Sequence, residues 1–268
     1  MNNEILDIEL GLINFKFKVF KNETLSNIVR STGTHITKDI DLYKEFIKEG
    51  SYFIDAGANI GWFTLIGSSL VGETGKVFAI EPEPGNLSLL NENIELNGIN
   101  NVTVKDVALS NEDGYIMFYT NPENFGDHSV SPNTWKRCFK PNKALSQEVE
   151  VKSSTLDSLF TDEEFSKVSL IKLDIQGSEP RVLQSKLLKK YRPNITLEYS
   201  PDHIYEAGGS PFEIFSFIEN NKYKIYELVT TEASVSRIPI FLPELFQRTQ
   251  SSLGTYTGID LLLVPVTN

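Results

Sequence analysis

Residues 52–61, YFIDAGANIG, decide the fold. The apolar run at 52–55 predicts a short buried strand, and 60–70 predicts the helix that follows it. Gly57 and Gly61 lie in the connection, where glycine lets the backbone turn tightly and approach a ligand without a side chain in the way. The pattern predicts a small-molecule site at the end of this strand. The alternative is a tight turn whose glycines serve the structure alone.

Strand and helix patterns continue to alternate after this stretch. Further strands are predicted at 76–81, 102–107, 170–174, 195–199, 223–228 and 259–264, and helices at 86–97, 179–189 and 212–220. This alternation requires crossover connections between parallel strands. The sequence therefore predicts an α/β fold whose mostly parallel sheet carries helices on both faces.

The flanking segments extend this pattern without dividing the chain. Residues 13–20 alternate apolar and polar as a half-buried strand does, and 39–48 place their apolar residues on one helical face. A hairpin strand is predicted at 115–120, followed by a long polar loop. Because there is no repeat or linker, we expect one domain over residues 1–268. It has a strand-and-helix extension at 1–50 and a core at 51–268.

The composition excludes several classes of protein. Hydrophobic residues make up 40% of the 268 and charged residues 23%, which is typical of a globular chain. The formal net charge of −11 argues against a nucleic-acid partner, because binding a phosphate backbone needs clustered Lys and Arg. No apolar run approaches the length of a membrane span, and Cys138, the single cysteine, cannot form an internal disulfide. We expect a cytoplasmic protein with no membrane partner, and the oligomeric state stays open.

Acidic residues mark the ends of three successive predicted strands: Asp55, Glu81 and Asp106. Ligands of open α/β sheets bind at the carboxyl ends of the strands, where an acid after the second strand can accept hydrogen bonds from ribose hydroxyls. Asp106 could accept one from an adenine amino group. Each acid taken alone is also compatible with a solvated strand end or a turn cap.

The glycine spacing argues against a dinucleotide ligand. Dinucleotide-binding loops have the pattern G-x-G-x-x-G, which places a pyrophosphate at a helix N-terminus. Here the next glycine after Gly57 is Gly61, and Asp55 brings a negative charge that suits a cationic ligand better than a pyrophosphate. The three acids predict an adenosine site, and S-adenosylmethionine, with its cationic sulfonium, fits it.

Four stretches of the chain resemble the FkbM family of methyltransferases. They are IDAGANIGWFTL (54–65), FAIEPEPGNLSLLNENIELNGINNVTVKDVALSNEDG (78–114), TLDSL (155–159) and LIKLDIQGSEPRVL (170–183). The resemblance implies a class I fold, with a seven-stranded, mostly parallel Rossmann-like sheet and helices on both faces. It also implies S-adenosylmethionine as the cofactor, and hydroxyl groups of sugars or natural products as the usual acceptors.

The resemblance also implies roles for individual residues. Asp55, Gly57, Asn59 and Gly61 would line the methionine end of the cofactor, Glu81 its ribose, and Asp106, Val107 and Ala108 its adenine. The family's usual block Lys-x-Asp-x-Glu-Gly-x-Glu is present as Lys172, Asp174, Gln176, Gly177 and Glu179. Gln176 thus replaces a carboxylate and removes one candidate acid or base.

Three residues are candidates for the chemistry. A hydroxyl acceptor must lose its proton as it attacks, and His128, which follows Asp127 in a polar loop, has a side-chain type suited to that task. Asp174 would orient the acceptor or steady the sulfonium end, and Glu179 is the other acid that remains in the block. The alternatives are a solvated imidazole for His128 and a helix cap for Asp174. No metal-binding spacing is present, so we expect metal-free catalysis.

The predicted function is S-adenosylmethionine-dependent methylation of a hydroxyl on a small sugar-like or natural-product-like acceptor. Two alternatives stay open: a non-catalytic partner subunit that keeps an adenosine pocket, and a methyltransferase acting on nitrogen or on a macromolecule. A dehydrogenase is disfavoured by the glycine spacing. The segments 122–146 and 230–254 are expected to choose the acceptor, because loops on a rigid scaffold carry specificity.

Overall fold

The computed structural model describes residues 3–21, 24–32, 40–121, 124–133, 146–230 and 235–266. Its strands are β1 (Asn3–Leu10), β2 (Ile13–Phe20), β3 (Tyr52–Ala56), β4 (Lys76–Ile80), β5 (Val102–Lys105), β6 (Ala108–Leu109), β7 (Gly114–Tyr119), β8 (Glu148–Ser154), β9 (Val168–Leu173), β10 (Asn194–Tyr199), β11 (Tyr223–Thr230), β12 (Val235–Ile240) and β13 (Ile259–Pro265). Its helices are α1 (Thr24–Thr32), α2 (Ile40–Phe46), α3 (Trp62–Val71), α4 (Pro84–Leu96), α5 (Leu156–Leu159), α6 (Asp162–Phe165), α7 (Glu179–Val182), α8 (Lys186–Tyr191), α9 (Pro201–Glu206), α10 (Pro211–Asn220) and α11 (Leu242–Ser252). Cys138 and parts of the two predicted specificity segments, at 122–123, 134–145 and 231–234, lie outside the described residues.

Eight strands form the central sheet, in the order β12-β11-β13-β10-β9-β3-β4-β5. The five strands from β10 to β5 pair in parallel, whereas β13 and β12 run antiparallel to their neighbours. The seven strands from β11 to β5 are the predicted Rossmann-like sheet, and β12 adds an eighth strand at one edge. None of the helices in the described ranges is both long enough and apolar enough to cross a membrane.

The winding of the chain reverses between β3 and β9. From β3 the chain passes through α3 to β4 and through α4 to β5 on one side, whereas β9 and β10 lie on the other side. At such a reversal the connections diverge and leave a crevice at the carboxyl ends of the strands, where ligands bind. The loop 57–61 and the end of β9 both lie at this crevice.

The central strands are buried on both faces, as their continuous apolar runs predict. On one face Ile54, Phe78 and Ile171 join the larger core cluster. On the other face Phe53, Val77 and Leu170, the neighbours of those residues along the chain, pack with Tyr43 of α2 and Val71 of α3. Because these strands carry apolar side chains on both faces, helices must cover both faces of the sheet.

The N-terminal hairpin of β1 and β2 packs on the helices of the core. Two aromatic residues of β2, Phe15 and Phe17, contact the edge of Trp62 at the start of α3. Asn93 of α4 accepts a hydrogen bond from the Lys18 backbone N–H at 2.6 Å and donates to its carbonyl at 3.0 Å. Since asparagine carries both a donor and an acceptor, it bonds to the edge of β2 as a neighbouring strand would.

The structure also contains elements that the sequence analysis does not predict, among them β1, α1 and α9, and it differs from the prediction in three further places. The segment 111–151, predicted to be mostly loop, contributes β8, which pairs with β6 and β7 in a separate three-stranded sheet. The predicted helix 179–189 is two short helices, because Asp157 accepts hydrogen bonds from the Lys186 and Leu187 N–H groups and fixes a new helix start. The segment 230–254 contains β12 and α11.

Gly57 makes the closest contact in the crevice. Its φ is +75°, and a Cβ at this position would lie 1.9 Å from the Asp174 carbonyl oxygen. Gly98 has a similar φ of +62° but nothing within 4 Å of an added Cβ. The two glycines therefore separate the cost of backbone conformation from the cost of a clash.

We predict that Gly57→Ala lowers the free energy of unfolding more than Gly98→Ala does. The left-handed backbone should cost each variant about 1–2 kcal/mol, and the clash should cost Gly57→Ala about 1–3 kcal/mol more. Urea denaturation of both variants measures the difference. Equal losses would contradict the proposed contact between the two loops.

Candidate active site

A cavity of about 430 Å³ lies at the carboxyl ends of β3, β4 and β9. This volume is typical of small-molecule sites. Its opposite wall comes from the loop 124–130, from Ile28 of α1 and from Tyr256 after α11. The predicted site residues that line it are Gly57, Asn59, Glu81, Val107, Ala108, His128 and Asp174.

Glu81 follows β4, lines the cavity and is 4% exposed. Its Oε2 accepts a hydrogen bond from the Asn59 backbone N–H at 2.8 Å, and its Oε1 accepts one from the Glu83 N–H at 2.9 Å. Each oxygen keeps a lone pair for a further donor. Burial raises the pKa of Glu81 to about 7, although the two N–H groups oppose this rise. Ligand hydroxyls that donate to this carboxylate would offset part of the cost of burying it.

The loop after β3 directs its residues to different places. Asn59 lines the cavity, and its Oδ1 is buried without a hydrogen-bond partner among the described residues, so a donor on a ligand would satisfy it. Gly57 also lines the cavity. Gly61 does not, since an added Cβ would lie 2.7 Å from Leu90 Cδ1, which shows that this glycine allows α3 to pack against α4.

Asp55 lies beneath the cavity and is completely buried. Its Oδ2 accepts a hydrogen bond from Thr64 Oγ1 at 2.6 Å, and its Oδ1 lies 3.8 Å from Lys172 Nζ. Burial raises the pKa of Asp55, and Lys172 and Thr64 oppose this rise. Neither Asp55 nor Lys172 lines this cavity, so Asp55 is connected to the lining residue Asp174 through Lys172.

Residues 106–108 are divided in the same way. Val107 and Ala108 are buried and line an apolar part of the cavity together with Phe118. The Asp106 side chain is exposed and does not line the cavity. The apolar part suits a flat aromatic ring, which is the surface that adenine presents.

His128 is brought into the cavity wall by the loop 124–130. It is 8% exposed, and its Nδ1 accepts a hydrogen bond from the Asn121 backbone N–H at 2.8 Å. A ring nitrogen that accepts cannot carry a proton, so the neutral imidazole holds its proton on Nε2. Burial lowers the pKa of His128 to about 4. The geometry therefore favours a neutral hydrogen-bond donor over the general base predicted from the sequence.

Asp174 stands at the end of β9 between two donors. Its Oδ2 accepts a hydrogen bond from Lys172 Nζ at 3.0 Å, and its Oδ1 accepts one from Gln176 Nε2 at 3.0 Å. The same amide nitrogen donates to Glu198 Oε2 at 3.2 Å. A glutamate at position 176 could donate only one of these bonds, and only while protonated, whereas the two N–H groups of the Gln176 amide reach both carboxyl groups.

The Lys172 side chain is buried and points to the same face of the sheet as that of Asp174, which it contacts at 3.0 Å. Burial lowers the pKa of Lys172, but Asp174 and Asp55 outweigh this effect and raise it. Its Nζ also lies 5.0 Å from the centre of the Phe63 ring. Lys172 is therefore a positive charge that holds the Asp174 side chain in place.

Glu179 takes a different place from the one the sequence suggested. It is 1% exposed, and its two oxygens accept hydrogen bonds from the Ile175 and Gly177 backbone N–H groups at 3.0 Å each. Burial raises the pKa of Glu179 to about 7. The residue does not line the cavity. It holds the turn that carries Gln176, whose φ is +53°.

Sequence reasoning missed Glu198, Asn86 and Asp127, all of which line the cavity. Glu198 was accessible to the rule that identified Glu81, because it lies near the carboxyl end of a predicted parallel strand. Asn86 lies in the first turn of α4, and its Nδ2 donates to the Phe125 carbonyl at 3.0 Å. That contact joins segments far apart in sequence, so no local pattern predicts it.

The charges in the cavity wall are one-sided. The described lining residues include four carboxylates, Glu81, Asp127, Asp174 and Glu198, and no lysine or arginine. Carboxyl oxygens accept hydrogen bonds and a nearby cation favours their ionised form, so this wall suits a cationic or hydroxyl-rich ligand better than an anionic one.

We predict that His128 stays neutral across the physiological range. Its ring signals in nuclear magnetic resonance spectra should not shift between about pH 8 and pH 5.5, because burial has lowered the pKa to about 4. A long-range nitrogen–proton spectrum should place the proton on Nε2, and His128→Gln assigns the signal. A titration midpoint near 6.5, the ordinary value for histidine, would contradict the buried position.

Comparison with known proteins identifies the family. Residues 55–225 match the Methyltransferase FkbM domain. Methyltransferase 1 of Beauveria bassiana is 29% identical over 147 residues, which are 51% of this chain and 58% of that protein. A probable cobalt-precorrin-6B C(15)-methyltransferase of Sulfurisphaera tokodaii is 38% identical over 63 residues, which are 24% of this chain and 33% of that protein. The matches thus span less than two thirds of either relative.

Solved structures include a methyltransferase FkbM from Methylobacillus flagellatus. It is 15% identical, with a TM-score of 0.47, and the alignment covers 86% of this chain and 52% of that one. The domain match at 55–225 contains the loop after β3, Glu81, His128 and the block from Lys172 to Glu179, which are the features described above. The chain belongs to the FkbM methyltransferase family.

Proposed function

We propose that this chain transfers a methyl group from S-adenosylmethionine to a hydroxyl of a small sugar-like or natural-product-like acceptor. The observation that carries the proposal is the cavity at the strand ends, which has four carboxylates and no lysine or arginine in its described wall. Membership of the FkbM family supports it. The lone cysteine and the net charge of −11 support the companion proposal of a cytoplasmic protein without a nucleic-acid partner.

The residues present fit S-adenosylmethionine better than a dinucleotide. A pyrophosphate needs backbone N–H groups or cations aimed at it, whereas this wall presents carboxylates and the buried Oδ1 atoms of Asn59 and Asn86, both acceptors. Acceptors suit ribose hydroxyls and an ammonium group. Glu81 would hold the ribose, Val107 and Ala108 the adenine, and Gly57 and Asn59 the methionine end.

The remaining predicted cofactor residues keep indirect roles in this proposal. Asp55 would act through Lys172, and Gly61 by letting α3 begin beside the cofactor. Asp106 remains a proposed adenine contact, although its side chain is exposed in this structure. Asp106→Asn tests that role by itself, since the side chain is exposed and makes no hydrogen bond or ion pair with the described residues.

When bound, the cofactor supplies a methyl group on a cationic sulfur, open to attack from the opposite side. The protein must then hold the acceptor oxygen in line, exclude water and receive a proton. Asp174 is suited to bind the acceptor hydroxyl and receive its proton, because it lines the cavity and Lys172 and Gln176 fix both its oxygens. His128 would donate from Nε2 to orient the acceptor, and Glu179 would hold the turn behind Asp174.

We predict that Glu81→Gln weakens the binding of S-adenosylhomocysteine about 10- to 100-fold, which corresponds to losing charged hydrogen bonds worth about 1.5–3 kcal/mol. Glu83→Gln is the matched control. Glu83 precedes α4 and accepts the Asn86 N–H, but it lies outside the cavity wall. Titration calorimetry should show an unchanged affinity in the control. If both variants lost the same affinity for S-adenosylhomocysteine, Glu81 would only hold the surrounding loop and would not bind the cofactor.

We predict that Asp174→Asn lowers kcat about 10²- to 10⁴-fold, the usual contribution of a positioned proton acceptor. The affinity for S-adenosylhomocysteine should change less than about threefold, because Asp174 faces the acceptor in this proposal. A methyl-transfer assay on hydroxylated compounds, combined with calorimetry, separates the two quantities. A variant that keeps its kcat but loses cofactor affinity would place Asp174 with the cofactor instead.

A further inference from the structure

A second, smaller cavity lies on the sheet face that α2 and α3 cover. Its volume is about 80 Å³, enough for a few water-sized groups. Its polar wall consists of Lys172, Asp174, Thr196, Glu198 and Asp260. Asp174 and Glu198 also line the first cavity, so the two cavities adjoin at these carboxylates.

Strand register places the polar residues of this wall side by side. Lys172 of β9 is the register partner of Thr196 in β10, and Glu198 of β10 is the partner of Asp260 in β13. Residues two apart in a strand point to the same face of the sheet. The face therefore carries a polar patch built from three strands, and Asp55 of β3, the register partner of Lys172, extends it.

The negative charges of this wall are not balanced. Lys172 is the positive group present, and it is engaged by Asp174 at 3.0 Å and Asp55 at 3.8 Å. Glu198 and Asp260 lie directly opposite each other, an arrangement that destabilises adjacent strands when both are charged. Within the described chain no lysine or arginine nitrogen comes within 4.0 Å of either carboxylate.

The pKa values of Glu198 and Asp260 reflect this excess of carboxyl groups. Burial, followed by the charge of Asp174, raises the pKa of Glu198 well above its ordinary value. Protein groups packed around its carboxyl group and the charge of Asp174 also raise the pKa of Asp260 to about 6, although Lys172 opposes this. The Asp260 side chain still retains solvent access, so a ligand can reach it.

A third feature of the wall points to a missing donor. Thr196 is 6% exposed and lines the second cavity, and its Oγ1 is buried with no hydrogen-bond partner in the described ranges. A buried hydroxyl without a partner costs free energy unless a ligand or ordered water satisfies it. A ligand N–H group beside Glu198 and Asp260 would supply the bond.

We propose that the second cavity binds a primary ammonium group of the acceptor, with Glu198 and Asp260 as counter-charges and Thr196 as a hydrogen-bond acceptor. The acceptor is then an amino alcohol or amino sugar whose hydroxyl reaches Asp174 in the adjoining cavity. A neutral hydroxyl in the same place would leave the two carboxylates uncompensated, and the described residues form no cluster suited to a metal ion. The proposal rests on the proposed methyl transfer for the role of the hydroxyl, but not for the binding of the ammonium group.

The test compares matched amines and alcohols by titration calorimetry on the full chain saturated with S-adenosylhomocysteine. The pairs are glucosamine with glucose and ethanolamine with ethylene glycol. We expect each amine to bind at least about tenfold more tightly than its neutral partner. Asp260→Asn should remove this preference for amines and leave S-adenosylhomocysteine binding unchanged. Thr196→Val, which removes the hydroxyl but keeps the size of the side chain, should weaken the preference for amines. Glu112→Gln, an exposed carboxylate outside both cavities, is the matched control and should keep the preference.

The outcomes separate this proposal from the proposed function. Equal binding of amines and alcohols, or a preference that survives Asp260→Asn, overturns the ammonium site. If S-adenosylhomocysteine does not bind, the proposed function is overturned instead. The comparison of amines with alcohols in its absence still shows whether the second cavity binds an ammonium group. Suppose that ethylamine binds as tightly as ethanolamine and no amino alcohol is methylated. The cavity then binds an ammonium group that belongs to no acceptor, and the assignment of an amino alcohol or amino sugar as acceptor is overturned.

Discussion

The structure depends on the contact between the loop after β3 and the end of β9. Gly57 approaches the Asp174 carbonyl so closely that no other residue fits, while the Asp174 N–H donates to the Ala56 carbonyl at 3.1 Å. On the other side, the N–H groups of Gly57 and Ala58 donate to the Ile80 carbonyl at 3.0 Å each. These bonds hold the ends of β3, β4 and β9 together. Glu81 and Asp174 consequently face one cavity from opposite sides of the same loop.

Several carboxyl groups around the two cavities are buried away from water. Glu81, Asp55, Glu179 and Glu198 all have a raised pKa, and in each case burial is the leading cause. Backbone N–H groups stabilise Glu81 and Glu179, whereas Lys172 and Gln176 stabilise the acids around Asp174. Such a site is costly when empty of donors and cations. Its proposed ligands, ribose hydroxyls, a sulfonium and an ammonium group, each supply what it lacks.

Much of the fold could be predicted because the deciding patterns are local. The apolar runs gave the central strands within one or two residues, and 13–20 coincides with β2. The loop predicted within 111–151 includes the first part of β8, because the polar outward residues of β8 hide its alternation. The strand β12 likewise pairs only at an exposed edge. The eighth strand and the split of the helix at 179–189 depend on partners distant in sequence, such as Asp157.

The site was predictable where it follows from strand ends and not where it follows from the direction of a side chain. Glu81, Gly57, Asn59, Val107 and Ala108 line the cavity as their strand-end positions suggested. Asp55 of β3, Gly61 and Glu179 of α7 lie close to these residues but do not line the cavity. The tautomer of His128 follows from the Asn121 N–H, a contact that no spacing rule contains. Glu198, Thr196 and Asp260 became neighbours only through the register of β10 with β9 and β13.

Thermal unfolding of the chain with S-adenosylhomocysteine, with NAD and with neither decides which cofactor the cavity binds. A ligand present at about a hundred times its Kd stabilises the native state by about 2.7 kcal/mol. We expect a raised Tm with S-adenosylhomocysteine alone, because the cavity wall offers carboxyl groups to an adenosyl ligand and presents no cation to a pyrophosphate. A shift with NAD alone, or no shift with either compound, would contradict this expectation.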